Sequence, residues 1–465
     1  KLNWKEGPSS FSLWPMLFLA EGRRDTLVAR SQYADPVNGT GNTPVLSRRD
    51  VEDSRRQAAR LRLEGETTVR DSKLAARLTL VGSERQNNTL RDSSGVLSTE
   101  RINRRETEIN AGLRGDRAWD EHVSSLGLEY IQLDRNEHQV YGGGFVDDQS
   151  YQVRSRDGVL WLQDEWAVSK ALTATAGLRA ESLQLTANSS SQEHRHLAPS
   201  LSGKWELDAA WQFRTSLGSA IKVPKLEEIS SAPVRSVSVN SPLEPDRRGN
   251  PTLQPEKSVN LELALERYWP GEVAMFGVNA YVRDTSQFIE RQARLEGARW
   301  VERPYNQGDA RHWGIEFDAK LKSEPLGWRG GAWRTHLTLP HARVEDQLLG
   351  LTRAAREVPR YLWTLGFDQT LSSLASNAGF LLQLTGDTRS DVPGEYWSNT
   401  RHRSVLDAYW VRKIDRSINL RVTLQNLLGD DSRRTVRAYS AGQEWQLGSS
   451  EAIPRALLLT LEGKW

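Results

Sequence analysis

The sequence predicts an all-β protein, a large transmembrane antiparallel up-and-down β-barrel. Three observations lead to this prediction. Apolar and polar residues alternate with a period of two in many segments, several of these segments are long enough to cross a bilayer, and short connections alternate with long ones.

Period-two alternation is the principal signal. The segments 259–266, 313–321 and 418–425 each place apolar residues on one face and largely polar or charged residues on the other. A soluble β-sandwich shows the same pattern with its apolar face turned into a dry core, whereas a membrane barrel turns that face to lipid. The residues predicted to face lipid are Leu261, Leu263, Leu265, Ile315, Phe317, Leu420 and Val422.

Segment length favours the barrel over the sandwich. A tilted strand needs about 9–11 residues to cross the hydrocarbon layer, whereas an ordinary strand has about 5–6. Strand character continues for ten or more residues at 257–268, 273–289 and 333–345. These segments are therefore predicted to span a membrane.

The connections support the same interpretation. Short turns are predicted at 169–171, 270–272 and 415–417, which is typical of the periplasmic side of such barrels. Long polar loops are predicted on the opposite, extracellular side. These loops are 24–53, 134–156, 221–256, 290–311, 347–359, 388–402 and 429–454.

Nineteen strands are predicted in a single domain, residues 1–465. Pro15 and Pro340 fall inside two of them, and each indicates a bulge or a strand end because proline cannot donate to a ladder. The predicted strands are 1–5, 10–23, 54–68, 72–86, 101–114, 120–133, 155–169, 172–187, 197–207, 210–220, 257–269, 272–289, 312–323, 331–345, 360–371, 377–388, 401–414, 417–428 and 455–465.

Composition excludes several classes of function. The net charge of +2 gives no electrostatic reason to expect a nucleic-acid partner, and the absence of cysteine excludes disulfides and thiolate sites. No run of 18 apolar residues is present, which excludes an ordinary transmembrane helix. The 17 tryptophans suit the interfacial belt of a membrane protein, although a core or a sugar site also uses them.

Seven motifs, in order along residues 159–465, resemble TonB-dependent outer-membrane receptors. They include GNPTLQPEKSVNLELALE at 249–266, NQGDARHWGIEFDAKLK at 306–322 and LQNLLGD at 424–430. Shorter matches are VLWLQDEWAVSKALTATAGLRAE, AIKVPKLEEI, VNAYVRDTSQFIE and LDAYW, at 159–181, 220–229, 278–290 and 406–410. The residues that carry the main motifs are Gly249, Asn250, Pro251, Pro255, Glu256, Asn306, Gly308, Gly314, Glu316, Asn426 and Leu427.

The resemblance implies a function and partners. Receptors of this family lie in the outer membrane of Gram-negative bacteria and import a scarce nutrient, most often a ferric siderophore, with energy from the TonB complex. They have 22 strands and an N-terminal plug with a TonB box. Nothing in this chain resembles the plug, so we expect an N-terminally incomplete barrel that lacks the plug and about three strands. The alternative is a plugless passive channel or a structural barrel of the outer membrane.

A cluster of cations and aromatic rings in the predicted loop 290–311 is the candidate ligand site. Guanidinium groups and aromatic rings suit an anionic or ring-bearing small molecule such as a ferric chelate. An ordinary solvated loop is the alternative interpretation. The residues are Arg294, Arg299, Trp300, Arg303, Tyr305 and Arg311.

No enzyme activity or cofactor is predicted. His194 and His196 lack a third metal ligand nearby in the sequence, and the pairs 147–148 and 430–431 lack the spaced oxygen ligands of a calcium loop. Gly142–Gly144 precedes no helix, so it is not expected to hold a phosphate. Trp465 ends an alternating strand that contains Leu461, a pattern that resembles the signal for outer-membrane assembly.

Overall fold

The computed structural model describes residues 2–35, 40–143, 146–188, 190–236, 240–415, 417–440 and 442–463. Strands make up most of the chain, and none of the helices in this part is long and apolar enough to cross a membrane. The first ten strands are β1 Leu2–Glu6, β2 Ser9–Asp35, β3 Thr40–Val69, β4 Ser72–Ser93, β5 Val96–Trp119, β6 His122–Gly142, β7 Asp147–Ala167, β8 Leu172–Ala187, β9 Ser190–Glu206 and β10 Trp211–Lys222.

The remaining elements include a short helix and several brief strands. The helix is α1 Leu226–Ile229, and 3-10 turns occupy Pro270–Glu272, Glu324–Leu326 and Ser372–Leu374. The strands are β11 Asp246–Arg247, β12 Glu256–Tyr268, β13 Ala274–Glu296, β14 Arg299–Lys322, β15 Gly331–Asp346, β16 Leu351–Ala354, β17 Leu362–Leu371, β18 Ser376–Thr385, β19 Thr388–Val392, β20 Tyr396–Thr400, β21 Arg403–Lys413, β22 Ile418–Gln425, β23 Ser432–Ser440, β24 Gln443–Glu451 and β25 Ala456–Gly463.

Nineteen of these strands form one antiparallel up-and-down sheet, as the alternation predicts. Each strand pairs with the next in the order β1 to β10, β12 to β15, β17, β18, β21, β22 and β25. Among the described residues, no ladder joins β1 to β25. Arg104 of β5 and Arg434 of β23 are far apart in the chain but line the same cavity. This proximity shows that the sheet curls on itself.

Six strands lie outside this sequential order. The short strand β11 pairs parallel with β14, and β16 extends the outer end of β15. The other four, β19, β20, β23 and β24, form a separate antiparallel sheet, which we call the accessory sheet.

The two ends of the barrel differ as the sequence predicts. At one end, which we call the turn end, short connections such as Arg70–Asp71 and Asp120–Glu121 join the strands. At the opposite loop end the prediction is largely wrong, because segments 24–53, 134–156, 290–311, 388–402 and 429–454 are mostly strand rather than loop. The last two segments form the accessory sheet, and the first three extend strands of the barrel. The strands continue past the apolar band as hairpins whose two faces are both polar, and period-two hydrophobicity therefore disappears there.

The face predicted to contact lipid carries apolar side chains that remain uncovered in the folded chain. Leu261, Leu263, Leu265 and Ile315 are 36–43% exposed. The other predicted members, Phe317, Leu420 and Val422, are partly exposed. Exposed apolar side chains in register on neighbouring strands are what a lipid-facing wall requires.

The other face of the sheet carries ion pairs. Side chains two residues apart on one strand point to the same face, so a cation and a carboxylate at i and i+2 can pair. Arg62 with Glu64, and Arg179 with Glu181, are such pairs. On the same face, Glu266 pairs with Arg214, and Asp318 lies 2.8 Å from His336.

Aromatic residues cluster on the outward face near the turn end. His122 stacks between Trp119 and Trp166, with ring centroids 4.4 and 5.6 Å away. Trp333 packs against Phe367 at 4.5 Å in the same zone. An interfacial belt of aromatic rings is typical of membrane barrels.

Both prolines that the sequence analysis singled out lie inside continuous strands, β2 and β15. The ladders that pair Pro15 with Leu61 and Pro340 with Gly314 continue without a register shift there. On the other side of β15, the pairing with β17 stops at Thr338, before Pro340, so the missing N–H breaks no pairing on that side. The bulges or strand ends predicted from the two prolines are therefore not found.

The main apolar cluster lies at the loop end, on the inner face. Val153, Leu183 and Leu185 of β7 and β8 have the same parity as the polar inner residues nearer the turn end. They pack against Leu226 and Ile229 of α1 and against Leu253, all at most 5% exposed. The connection 223–255 therefore folds inward and rests on the barrel wall.

Candidate functional site

A charged cavity of 1340 Å³ lies at the loop end, beside this inward connection. Its walls come from the connection after β10, the outer halves of β13 and β14, and the accessory sheet, together with β5, β6 and the connection between β15 and β17. Its charged side chains are eight arginines and six glutamates. They are Arg104, Arg135, Arg247, Arg248, Arg291, Arg294, Arg356, Arg434, Glu137, Glu227, Glu290, Glu302, Glu357 and Glu395.

Most of these arginines are neutralised by a carboxylate. Arg104 lies 2.6 Å from Glu137, and Arg434 lies 2.9 Å from Glu357. Arg248 and Arg294 have no ion-pair partner among the described residues. The cavity therefore carries two positive charges in excess, which favours an anionic occupant.

Three of the cavity arginines also contain unsatisfied donors. The Nε atoms of Arg248, Arg356 and Arg434 are buried and have no hydrogen-bond acceptor in the part of the chain that the structure describes. Because these atoms have almost no accessible surface, they do not face the cavity, and its preference for an anion rests on the excess of arginines alone.

Two of the six residues predicted as a ligand site line this cavity. Arg294 and Trp300 lie on its wall, and the guanidinium of Arg294 lies 4.6 Å from the centre of the Tyr305 ring. Arg294 also donates to Gln292 Oε1 at 2.7 Å. All six residues lie on β13 and β14, so the expectation of an irregular loop is corrected to a strand hairpin.

Two other members of the predicted set hold the walls together. Arg299 donates to both carboxylate oxygens of Asp246, at 2.6 and 2.8 Å. Arg303 donates to both oxygens of Glu296, at 2.6 and 2.9 Å, and also to the Gly249 carbonyl at 2.6 Å. These guanidinium groups are already engaged, so they fix the connection 223–255 against the hairpin.

The ionisation of the two carboxylates follows from these contacts. Burial alone raises the pKa of Asp246, but the hydrogen bonds from Arg299 and from the Ser236 amide outweigh it, and the pKa lies below its ordinary value. The hydrogen bonds from Arg303 likewise lower the pKa of Glu296. Both groups are therefore ionised at neutral pH, and both clamps are charged.

Arg311, the last member, lies apart from the cavity. Its side chain points to the same face as Ile315 and pairs with Asp284 at 2.6 and 3.0 Å. It lines a second cavity, of 920 Å³, between β12 and β15. The structure therefore does not bring Arg311 together with Arg294 and Trp300.

A buried ion-pair triad supports one wall of the charged cavity. Arg353 of β16 lies 2.6 Å from Glu290 of β13 and 2.9 Å from Asp346 of β15. The three side chains are 3–6% exposed. Because Glu290 also accepts a hydrogen bond from the Arg356 amide at 3.0 Å, the triad ties the connection 347–361 to the cavity.

The GNP motif acts as a structural clamp. A Cβ on Gly249 would meet the Ser230 carbonyl at 2.3 Å, so only glycine fits this approach to the end of α1. The Asn250 side chain donates to the Pro304 carbonyl at 3.1 Å, and the Pro251 carbonyl accepts from Gln192. These contacts fasten the motif to its neighbours.

The next part of the motif joins β12 to the hairpin. Pro255 is fully buried, and Glu256 accepts from Lys222 Nζ and from the Ile289 amide, both at 3.0 Å. Asn306 of β14 donates to the Gln254 carbonyl and accepts from the Gln254 amide, both at 2.9 Å. This pair of bonds mimics a backbone ladder.

The motif residues of β14 also have structural roles. Gly308 has φ +138, a conformation that side chains rarely adopt, and it sits at a bulge facing the Glu345 carbonyl. A Cβ on Gly314 would meet the Tyr281 hydroxyl at 2.6 Å. Glu316 accepts from Asn279 at 3.0 Å.

The NLL segment closes the end of β22. Asn426 adopts a left-handed conformation with φ 48, and its side chain donates to the Ile453 carbonyl at 2.7 Å. Its amide donates to Asp407 Oδ1 at 2.8 Å, and Leu427 is exposed. Leu461 is exposed as well, whereas Trp465 and the assembly signal predicted for it lie outside the described residues.

The remaining candidate sites have ordinary structural surroundings. Asp147 pairs with Arg235 and Asp148 with His138, while Asp430 accepts from the Ser404 amide at 2.7 Å. His196 contacts Ser219 at 3.2 Å. No group of three metal-ligating side chains occurs within the described ranges. Gly144 lies outside those ranges.

The cavity arginines Arg248, Arg356 and Arg434 were not predicted from the sequence. They come from three connections that are far apart in the chain, and only Arg248 stands next to a recognised motif. Proximity to the GNP motif is the one local signal that could have identified it.

Comparisons with known proteins identify the family. The iron-regulated outer membrane virulence protein of Vibrio cholerae serotype O1 is 28% identical over 179 residues, which cover 37% of this chain and 24% of that protein. The match thus spans about a quarter of that relative's length.

Solved structures agree in fold. The ferric yersiniabactin uptake receptor FyuA from Yersinia pestis superposes with a TM-score of 0.65 at 13% identity, over 98% of this chain and 78% of that chain. The copper transporter OprC gives a TM-score of 0.63 at 13% identity, over 100% and 84%. A family model described as TonB dependent receptor-like, beta-barrel matches residues 14–439. The chain therefore belongs to the family of TonB-dependent receptor β-barrels, which are receptors and not enzymes.

Proposed function

We propose that this chain forms the barrel of an outer-membrane receptor that takes up a scarce nutrient in a Gram-negative bacterium. Family membership supports this proposal. The proposal includes a plug segment and the TonB complex as partners, as the family implies. The barrel supplies the wall and the binding surface, and no bond is made or broken.

We further propose that the cargo is a small anionic chelate of the ferric siderophore type, bound in the charged cavity. The observation that carries this proposal is the excess of cations there, with Arg248 and Arg294 unpaired within the described structure. Trp300 and Tyr396 supply ring surfaces beside these cations. The Vibrio protein is iron-regulated and the Yersinia protein is a receptor for ferric yersiniabactin, and both names agree with an iron chelate as cargo.

The test is uptake of radiolabelled ferric chelates by cells that express the full-length protein. We expect uptake that stops when TonB is deleted or the proton gradient is collapsed. The double variant Arg248→Ala/Arg294→Ala should reduce uptake about tenfold or more, because each guanidinium contributes a charge-assisted hydrogen bond. Arg55→Ala is the matched control, since Arg55 pairs with Glu21 on the outward face, and it should leave uptake unchanged.

Two results would contradict the proposal. Uptake that continues without TonB, together with a constitutively open pore in single-channel recordings of the intact protein, would favour the passive channel. Unchanged uptake of every anionic chelate in the double variant would remove the cavity from the cargo site.

A further inference from the structure

A third cavity, of 760 Å³, lies on the outward face of the long hairpins that β4, β5, β6 and β7 form. We call it the hairpin groove. Two rows of side chains, in register across the four strands, form its floor. One row runs from Gln86 on β4 to Ser150 on β7, and the other runs from Glu84 to Gln152.

The hairpin groove lies above the apolar band. Its side chains have the parity of Leu80 and Leu113, which are exposed on the face predicted to contact lipid. The continuous run of outward apolar residues ends at Leu80 and its partner Ile109. Glu84 and Gln86 lie about 14 and 20 Å farther along the strand, which is roughly 10–15 Å higher in a tilted barrel. Because a headgroup layer is only about 5–8 Å thick, the groove lies beyond the lipid.

The charged side chains of the groove are already engaged. Arg105 lies 3.6 Å from Glu84, and His138 contacts Asp148 at 2.7 Å. The remaining carboxylate, that of Glu137, lies 2.6 Å from an arginine of the inner face. The groove therefore has no free charge that would select an anion or a cation.

The amides of the groove, in contrast, are free. The side chains of Asn103, Asn136 and Gln152 line it and have no hydrogen-bond partner among the described residues, and the same holds for the Ser150 hydroxyl. Each amide offers two donors and one acceptor, and each hydroxyl is both donor and acceptor. A neutral molecule rich in hydroxyl groups matches this surface.

The position of the groove favours a glycan over a peptide. Along its two rows, β4, β5 and β6 are paired on both sides, so their backbones offer no free N–H or C=O for the addition of a strand. No aliphatic side chain lines the groove within the described ranges, so it has no pocket for the apolar side chains of a peptide.

We propose that the hairpin groove binds a neutral polysaccharide outside the membrane, with Asn103, Asn136 and Gln152 as the binding side chains. The rows extend about 14 Å across the strands and lie about 7 Å apart, which suits several linked sugar rings better than one. The proposal rests on the outer-membrane location proposed above, because that location sets the height of the groove. It does not depend on the cargo or on the charged cavity, which faces inward.

The test measures binding of short soluble fragments of glucan, mannan and galactan to the purified full-length protein in detergent, by titration calorimetry. We expect saturable binding of at least one fragment, with an affinity that does not change with ionic strength because the ligand is neutral. The triple variant Asn103→Ala/Asn136→Ala/Gln152→Ala should weaken it about tenfold or more, since three hydrogen-bonding amides are lost. Asn377→Ala, which removes an exposed amide at the turn end, is the matched control and should leave the affinity unchanged.

Three outcomes would overturn the proposal. They are the absence of binding by all three glycans, equal affinity in the triple variant, and displacement of the glycan by lipid A without a sugar chain, which would make the groove a lipid site. Ser150→Trp, which fills the groove with a ring and keeps the three amides, replaces the triple variant if that protein does not fold, and it should abolish binding. Uptake of ferric chelates is measured separately, so failure of the receptor proposal leaves this result readable.

Discussion

The two sides of the barrel extend beyond the membrane in different ways. On one side, β2–β7 are 21–30 residues long and continue outward as hairpins. On the other, β17, β18, β21, β22 and β25 have only 8–11 residues, and their connections form the accessory sheet. Exposed cross-strand ion pairs such as Arg55 with Glu21 lie on the first side, whereas the connection that leads from β15 into the second side is held by the buried triad of Arg353, Glu290 and Asp346. The charged cavity lies beside the second.

The largest expected effect separates these two kinds of ion pair. Arg353→Ala leaves Asp346 buried without a cation and leaves Glu290 with Arg356 alone, 3.7 Å away, so we expect a loss of about 3–5 kcal/mol in the free energy of unfolding. Arg55→Ala in the long hairpins should cost at most about 1 kcal/mol, because the pair with Glu21 is solvated. Urea titration of the barrel in lipid vesicles measures both, and equal losses would contradict the comparison.

The next effect tests where the membrane ends on each side. Leu263→Arg places a charge in the middle of the apolar face and should cost about 2–4 kcal/mol. Leu90 also points outward, but it lies on β4, far along the hairpin and away from the apolar band. Leu90→Arg should therefore cost less than about 1 kcal/mol. The same vesicle titration applies. A large penalty at Leu90 would show that the long hairpins are immersed in lipid.

A smaller difference in stability is expected between glycine substitutions in two parts of the barrel. Gly308→Ala forces a side chain into a strained conformation against the Glu345 carbonyl, and we expect a loss of about 1–3 kcal/mol. Gly95 in the β4–β5 turn also has positive φ, but a Cβ there meets no atom within 4 Å, so Gly95→Ala should cost only about 1 kcal/mol. Thermal unfolding of both variants would show whether the close contact matters.

The smallest effect concerns pH. The folded-state pKa of Asp246 lies below its ordinary value, so its clamp with Arg299 contributes stability that is fully present above the unfolded pKa of about 4 and is lost as pH falls through the folded value. Hydrogen exchange in residues 240–249 should therefore be unchanged from pH 7 to 5 and rise only below about pH 4. Asp246→Asn should abolish that dependence, and a rise near pH 6 would contradict it.

The barrel wall was largely predictable from sequence. Each of the nineteen predicted strands has its counterpart, because a wall with one apolar face must alternate wherever it crosses lipid. The hairpin extensions were not predictable, since a strand with water on both faces loses the periodicity, as residues 98–106 show.

The candidate site was predicted only in part. Arg294 and Trp300 stand out locally as a cation beside aromatic rings. In contrast, the engagement of Arg299 by Asp246 depends on a partner 53 residues away in the chain, and that of Arg353 by Glu290 on one 63 residues away. Local composition cannot distinguish a guanidinium that is free for ligand from one already bound, because the partner is chosen by the fold.

The unequal strand lengths affect small molecules and large proteins differently when they approach the loop end. A strand such as β4, with 22 residues, reaches about 70 Å along its length, whereas β18, with 10, reaches about 33 Å. If the cargo is the small chelate proposed above, it reaches the cavity from the shorter side without contact with the hairpins of the taller side. An antibody or another large protein that approaches from the loop end meets the longer hairpins first, so substitutions there alter its contact with the barrel and leave the cavity residues unchanged.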